Sequence, residues 1–205
     1  MNFVMPVVEG FVTGIGLSLT LGTVFFALIQ NSLIFGYKKG ILIASGVAFS
    51  DIVLISLVLW SDSFIGFLQN CAKEVTIVGA ILLIVFGIAQ FAKKVANKEG
   101  IKDYSGSLFG DIFFVGKGIF LNVINPVNFF VWLSISAMLS AKFHYVIDEK
   151  LAFFIASVIA IFTVESLLAI FAARVRKLMN DKRIRWVNRI SGTIFIGIGV
   201  YLLCS

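Results

Sequence analysis

Six long apolar runs alternate along the chain with shorter polar connections. They cover residues 7–35, 41–60, 75–92, 112–139, 151–173 and 184–203, each close to or beyond the roughly 20 residues a helix needs to cross a bilayer. Backbone groups in hydrocarbon find no water, so spans of this kind are expected as helices that satisfy their own hydrogen bonds. The pattern predicts an all-α integral membrane protein with six transmembrane helices. The segment before the first run, Met-Asn-Phe-Val-Met-Pro, has no basic residue, and no soluble stretch follows that run, so it reads as a retained first span and not as a cleaved signal peptide.

Two of these runs carry an interruption. In the middle of 112–139 stands Asn125-Pro126. Proline has no N–H, and its ring clashes with the carbonyl four residues earlier, here that of Asn122; a residue before proline is pushed out of the right-handed helical region. Asparagine is a good N-cap and proline is favoured at the first helical position, so the fourth span is expected as two half-helices. The second would present free N–H groups and a positive dipole end within the membrane, a ready carboxylate site, with Asn122 and Asn128 adding side-chain hydrogen bonds. In the first run, Gly10, Gly14, Ser18 and Gly22 recur at intervals of four and lead into Thr20, Gly22 and Thr23. This predicts a second break, with Thr23 capping a half-helix. Gly106, Gly110, Gly118 and Asn122 form a matching stripe ahead of Asn125-Pro126. Such stripes by themselves are explained by close helix packing; an Asn-Pro pair in mid-span is not.

The polar stretch 93–111 separates the runs into three and three. An odd number per group inverts the second relative to the first, an arrangement many transporters use. The expected organisation is a three-helix repeat over 1–92, a cytoplasmic linker over 93–111 and a second, inverted three-helix repeat over 112–205, with the first and fourth helices broken.

Composition agrees with the membrane setting. Hydrophobic residues make up 60% of the 205, charged residues 14%, and mean hydropathy is +1.04, against about 25% charged in soluble domains. If six helices cross, fourteen of the seventeen Lys and Arg fall on one side and only Lys73, Lys142 and Lys150 on the other. The positive-inside rule then puts both termini outside the cytoplasm. The net charge of +6 needs no nucleic acid to account for it; the basic segment 174–189, interleaved with Val175, Leu178, Met179, Trp186 and Val187, suits anionic lipid headgroups.

Asp51 lies near the centre of the second run and Glu165 well inside the fifth. An ionised residue at helix centre costs roughly 2.5–3.5 kcal/mol on insertion scales, so such residues face the bundle interior and mark pathways or proton relays. Either carboxyl also has a bland reading, as a hydrogen-bonded group that holds two helices together. Cys71 and Cys204 form no C-x-x-C and are expected as free thiols, and His144 is the only histidine, in an outer loop. No zinc set or Ser–His pair can be assembled around it. The sequence therefore predicts no enzyme, no cofactor and no metal site, with Trp60, Tyr145 and Tyr201 as interface anchors.

Over nearly its whole length the chain resembles the LysE/RhtB family of amino-acid exporters. The resemblance rests on Thr20 to Thr23 in the first span, Gly46 to Asp51 in the second, Asn122, Asn125 and Pro126 with Trp132 in the fourth, and Arg185 to Gly192 followed by Gly197 and Gly199 in the last. Members usually carry Pro-Gly-Pro at the first kink; this chain keeps Gly22, with Leu21 and Thr23 in the proline positions. The resemblance implies a multi-pass protein of a bacterial-type inner membrane that exports amino acids or related small zwitterions. With the residues it points to substrate binding by Thr20, Gly22, Thr23, Asn122, Asn125, Pro126 and Asn128 and gives Asp51 the cargo amino group or the exchanged proton; Glu165, on its place in this sequence alone, is expected to share the proton coupling. Two other readings stay open on the residues: a metal-cation transporter using the intramembrane carboxylates, and a non-transporting assembly protein. The spacing of Gly10 and Gly14, and of Gly36 and Gly40, is of the kind that helix dimers use, so a homodimer is a further expectation.

Overall fold

A computed structural model describes residues 3–19, 23–60, 72–92, 108–175 and 181–204. Within them lie eight helices and no strand: α1 (Val4–Ser18), α2 (Thr23–Phe35), α3 (Tyr37–Trp60), α4 (Ala72–Ala92), α5 (Leu108–Val123), α6 (Pro126–Ala141), α7 (Ile147–Val175) and α8 (Asp181–Cys204). The helices α3 and α7 are each long and apolar enough to cross a membrane unaided. The pairs α1–α2 and α5–α6 reach that length only together, bent by 69° and 65° at their breaks. Counting each bent pair as one span gives up to four crossings, and the apolar parts of α4 and α8, Thr76–Ala89 and Arg189–Cys204, are shorter.

The second break follows the local rules for proline. Asn125 has φ −85° and ψ 99°, extended, and its side chain accepts from the Val127 N–H at 3.3 Å, with Pro126 as the first residue of α6. Expected and observed cap coincide here. At the first break, α1 ends at Ser18 and α2 begins at Thr23; Thr20 and Gly22 lie outside the described residues. Within the described residues α5 runs from Leu108, ahead of the apolar run, with Asp111 in its first turn, where a carboxylate suits the positive end of the helix dipole. At the start of α7, Glu149 reaches back to the Val146 N–H at 3.2 Å, the carboxylate half of a capping box.

The helices pair crosswise between the two halves of the chain: α1 lies along α7, α5 along α3, and α4 along α8, while α3 and α7 meet at the centre. Small residues allow the first two of these contacts. A Cβ at Gly14 would run into the Ser157 backbone, and one at Gly118 into that of Ile43. The Gly10/Gly14 spacing is thus used inside the chain, against α7, and does not offer a dimer face. Around α3, α6 and α7 the core is apolar and aromatic, with Trp132 and Phe154 edge-to-face at 5.8 Å.

Polar ties close both ends of this bundle. Lys39 of α3 is buried, pairs with Asp111 of α5 and stands 5.5 Å over the Phe114 ring, while Lys117 donates to Asn31 Oδ1 at 2.9 Å. At the opposite end Tyr145 donates to Glu9 Oε2 at 2.8 Å. Burial and the neighbouring Glu9 push its phenol up to about 12, so it remains a donor. Tyr145 is therefore a tie between α1 and the α6–α7 turn as well as an interfacial ring; Trp60 and Tyr201 are largely exposed, as expected of anchors.

Candidate functional site

Both breaks open on one cavity of about 160 Å³. Its wall includes Ser18 and Thr23 from either side of the first break, Asn122, Asn125, Asn128 and Trp132 from either side of the second, Asp51 of α3 and Glu165 of α7. Leu17, Val24, Phe25, Val47, Val127, Val131 and Ile161 supply the apolar remainder. A pocket lined mostly by apolar side chains with a few convergent polar groups is the usual form of a small-molecule site.

Asp51 is the hub. It is 2% exposed, and three donors converge on its Oδ1: Asn122 Nδ2 at 2.8 Å, Asn128 Nδ2 at 2.9 Å and Trp132 Nε1 at 3.0 Å. Asn122 Nδ2 also reaches Ser50 Oγ at 2.8 Å, and Ser50 in turn donates to Val47 O at 2.8 Å. The break makes this convergence geometrically accessible. Asn122 lies in the last turn of one half-helix, and Asn128 and Trp132 lie in the first two turns of the next, so three residues on two differently directed helices meet one oxygen on a third. Buried polar groups are costly unless paired; here the pairing ties α3 to both α5 and α6.

Glu165 is placed differently. It is 6% exposed, lines the same cavity, and its Oε2 has no hydrogen-bond partner. Thr23 is fully buried and its Oγ1 is likewise unpartnered. At the start of α6 the N–H groups are occupied: that of Val127 by the Asn125 side chain, and that of Asn128 by Asn125 O at 3.1 Å.

Of the residues singled out from the sequence, Thr23, Asp51, Asn122, Asn125, Asn128 and Glu165 are brought together on this wall. Pro126 acts through the backbone, by starting α6. Thr20 and Gly22 fall outside the described residues. Sequence reasoning missed Trp132 and Ser50 as members of the site. Both stand in the segments that carry the family resemblance, and that is the signal that marked them. Among the described residues, no three His, Cys, Asp or Glu side chains cluster in a way that would hold a metal ion.

In a comparison with protein families the chain matches the LysE type translocator model over residues 15–205. Neither the curated proteins nor the solved structures give a match.

Proposed function

The chain belongs to the LysE type translocator family and is a multi-pass membrane transporter; on that premise we propose that it exports amino acids or related small zwitterions in exchange for protons, through the cavity between the two breaks. The observation that carries this reading is Asp51, a buried carboxyl gripped by Asn122, Asn128 and Trp132 from both sides of the Asn125-Pro126 break. Such a group reports the arrangement of the broken span directly, because changing the angle between α5 and α6 must disturb its donors.

In this mechanism Oδ1 of Asp51 is committed to its three donors, so the exchanged proton is carried on Oδ2. It arrives from the outer side once cargo has left and departs to the cytoplasm before the next cargo binds. The cargo carboxylate lies at the start of α6, where it replaces the Asn125 side chain on the Val127 N–H, a long bond at 3.3 Å, and meets the positive end of the helix dipole. Ser18 and Thr23, which flank the first break, complete the lining. With six crossings, fourteen basic residues fall on one set of connections, which supports a protein with both termini outside the cytoplasm of a bacterial-type inner membrane. The metal-cation alternative would call for more oxygen ligands at one depth than two carboxyls provide.

The test is efflux of labelled amino acids from proteoliposomes under an imposed pH gradient. Wild-type protein is expected to move at least one amino acid in a gradient-dependent way. Asp51→Asn keeps an acceptor for all three donors and is expected to fold, yet lose the response to the gradient. Normal gradient-driven efflux by that variant would remove Asp51 from the coupling role.

A further inference from the structure

Two carboxyl side chains face the cavity from matching places in the helix packing; among the described residues Asp51 Oδ1 has donors and Glu165 Oε2 has none. Gly14 of α1 lies on the backbone of Ser157, and Gly118 of α5 on that of Ile43. Glu165 stands eight residues beyond Ser157, and Asp51 eight residues beyond Ile43. Ser18 follows Gly14 by four residues and Asn122 follows Gly118 by four, and all four side chains line the cavity. The chemistry of the two places then differs. Asn122 donates to Asp51. Ser18 turns its hydroxyl back onto Ile15 O of its own helix at 2.8 Å, and Glu165 Oε2 is left buried with no donor. Thr23 Oγ1, fully buried on the same wall, is also without a partner.

Folded proteins keep few buried polar atoms unpaired, because each carries an uncompensated desolvation penalty. A ligand that supplies donors at this place removes the penalty when it binds. We infer that Glu165 Oε2 accepts the ammonium group of the cargo, with Thr23 Oγ1 as the second acceptor, while Asp51 carries the exchanged proton. A primary ammonium brings three N–H donors, a full charge and no acceptor, which suits a carboxylate beside a hydroxyl oxygen. A cargo hydroxyl at the same position brings one donor and no charge. Among the described residues, no Lys or Arg lines the cavity, so no basic side chain on that wall competes with the ammonium for Glu165. This inference rests on the export reading and assigns separate tasks to the two acids within it.

The experiment uses full-length protein in proteoliposomes with two pairs of solutes that differ only in amino against hydroxyl: L-alanine with L-lactate, and L-leucine with its 2-hydroxy analogue. Wild type is expected to carry the amino members in preference. Glu165→Gln, nearly identical in shape, should lower transport of the amino members about tenfold or more, as expected when a charge-assisted hydrogen bond becomes a neutral one. It should leave competition by the hydroxy members unchanged and keep the response to a pH gradient. Glu165→Asp, which retains the charge, should recover part of the preference, and a monodisperse size-exclusion profile establishes that each variant is folded. Asp51→Asn should do the reverse, keeping the amino preference while losing the gradient response. Glu165→Gln with wild-type preference would overturn the inference and leave export standing, as would loss of gradient response in that variant with preference intact. Wild-type protein that carried no member of either pair would remove the export reading and this inference together.

Discussion

Trp132 shows how one side chain joins framework and site. Its indole N–H donates to Asp51 Oδ1 at 3.0 Å, and its ring lies edge-to-face on Phe154, so a residue of α6 braces both α3 and α7. Trp132→Phe keeps an aromatic ring against Phe154 but removes the donor. It should lower thermal stability in detergent by about 1–3 kcal/mol, the range for losing a hydrogen bond to a buried polar or charged group; a variant as stable as wild type would show that two donors suffice for Asp51. At this scale the sequence revealed which polar residues are costly in a membrane, Asp51, Glu165 and the asparagines, because their price is set by residue type and depth alone. It did not reveal that Asn122, Asn128 and Trp132 meet on one oxygen. That convergence depends on the register of α3 against α5 and on the direction of α6, which no local pattern encodes, and tryptophan in an apolar run carries no signal that its N–H has a partner.

Among the helices, the close contact of α5 with α3 is governed by one missing side chain. A Cβ at Gly118 would meet the Ile43 backbone, whereas Gly116, two residues earlier and on the exposed face, has open space around it. Gly118→Ala should therefore destabilise the protein by about 1–3 kcal/mol through forced separation of the helices. Gly116→Ala should stabilise it by up to about 1 kcal/mol through helix propensity. Thermal unfolding of the two variants side by side checks this, and equal effects would mean that the α3–α5 contact is looser than described. The cap at Asn125 was legible in advance because it needs only two adjacent residues. The glycine stripes announced close packing, but their spacing fits an intermolecular contact as well as an intramolecular one; only the fold assigns Gly14 to α7 and Gly118 to α3.

The whole molecule has a charge asymmetry that predicts how it sits in the membrane. If six helices cross, fourteen basic residues fall on one set of connections, and the C-terminal end of α8 is then expected outside the cytoplasm. Cys204 there is a free and exposed thiol. A maleimide that cannot cross membranes should label it in intact cells, while a cysteine placed by Lys98→Cys should react only after the membrane is opened. The opposite labelling pattern would invert the topology and the direction assigned to proton flow. Hydropathy outlined six runs, yet two of them form bent pairs whose geometry comes from the breaks and from crosswise packing between the halves.

Cargo binding at the Asn125-Pro126 break is the claim on which the account turns, and a continuous helix through that point tests it most directly. Asn125→Leu with Pro126→Ala removes the cap and lets the amides at the start of α6 close into ordinary helical bonds. Affinity is measured on purified protein for an amino acid that wild type exports and for its amide, which lacks the carboxylate. The double variant is expected to fold, to bind the amino acid at least tenfold more weakly and to lose the distinction between it and the amide. Wild-type affinity with the carboxylate preference intact would contradict it, leaving the break as a packing kink and placing the cargo elsewhere.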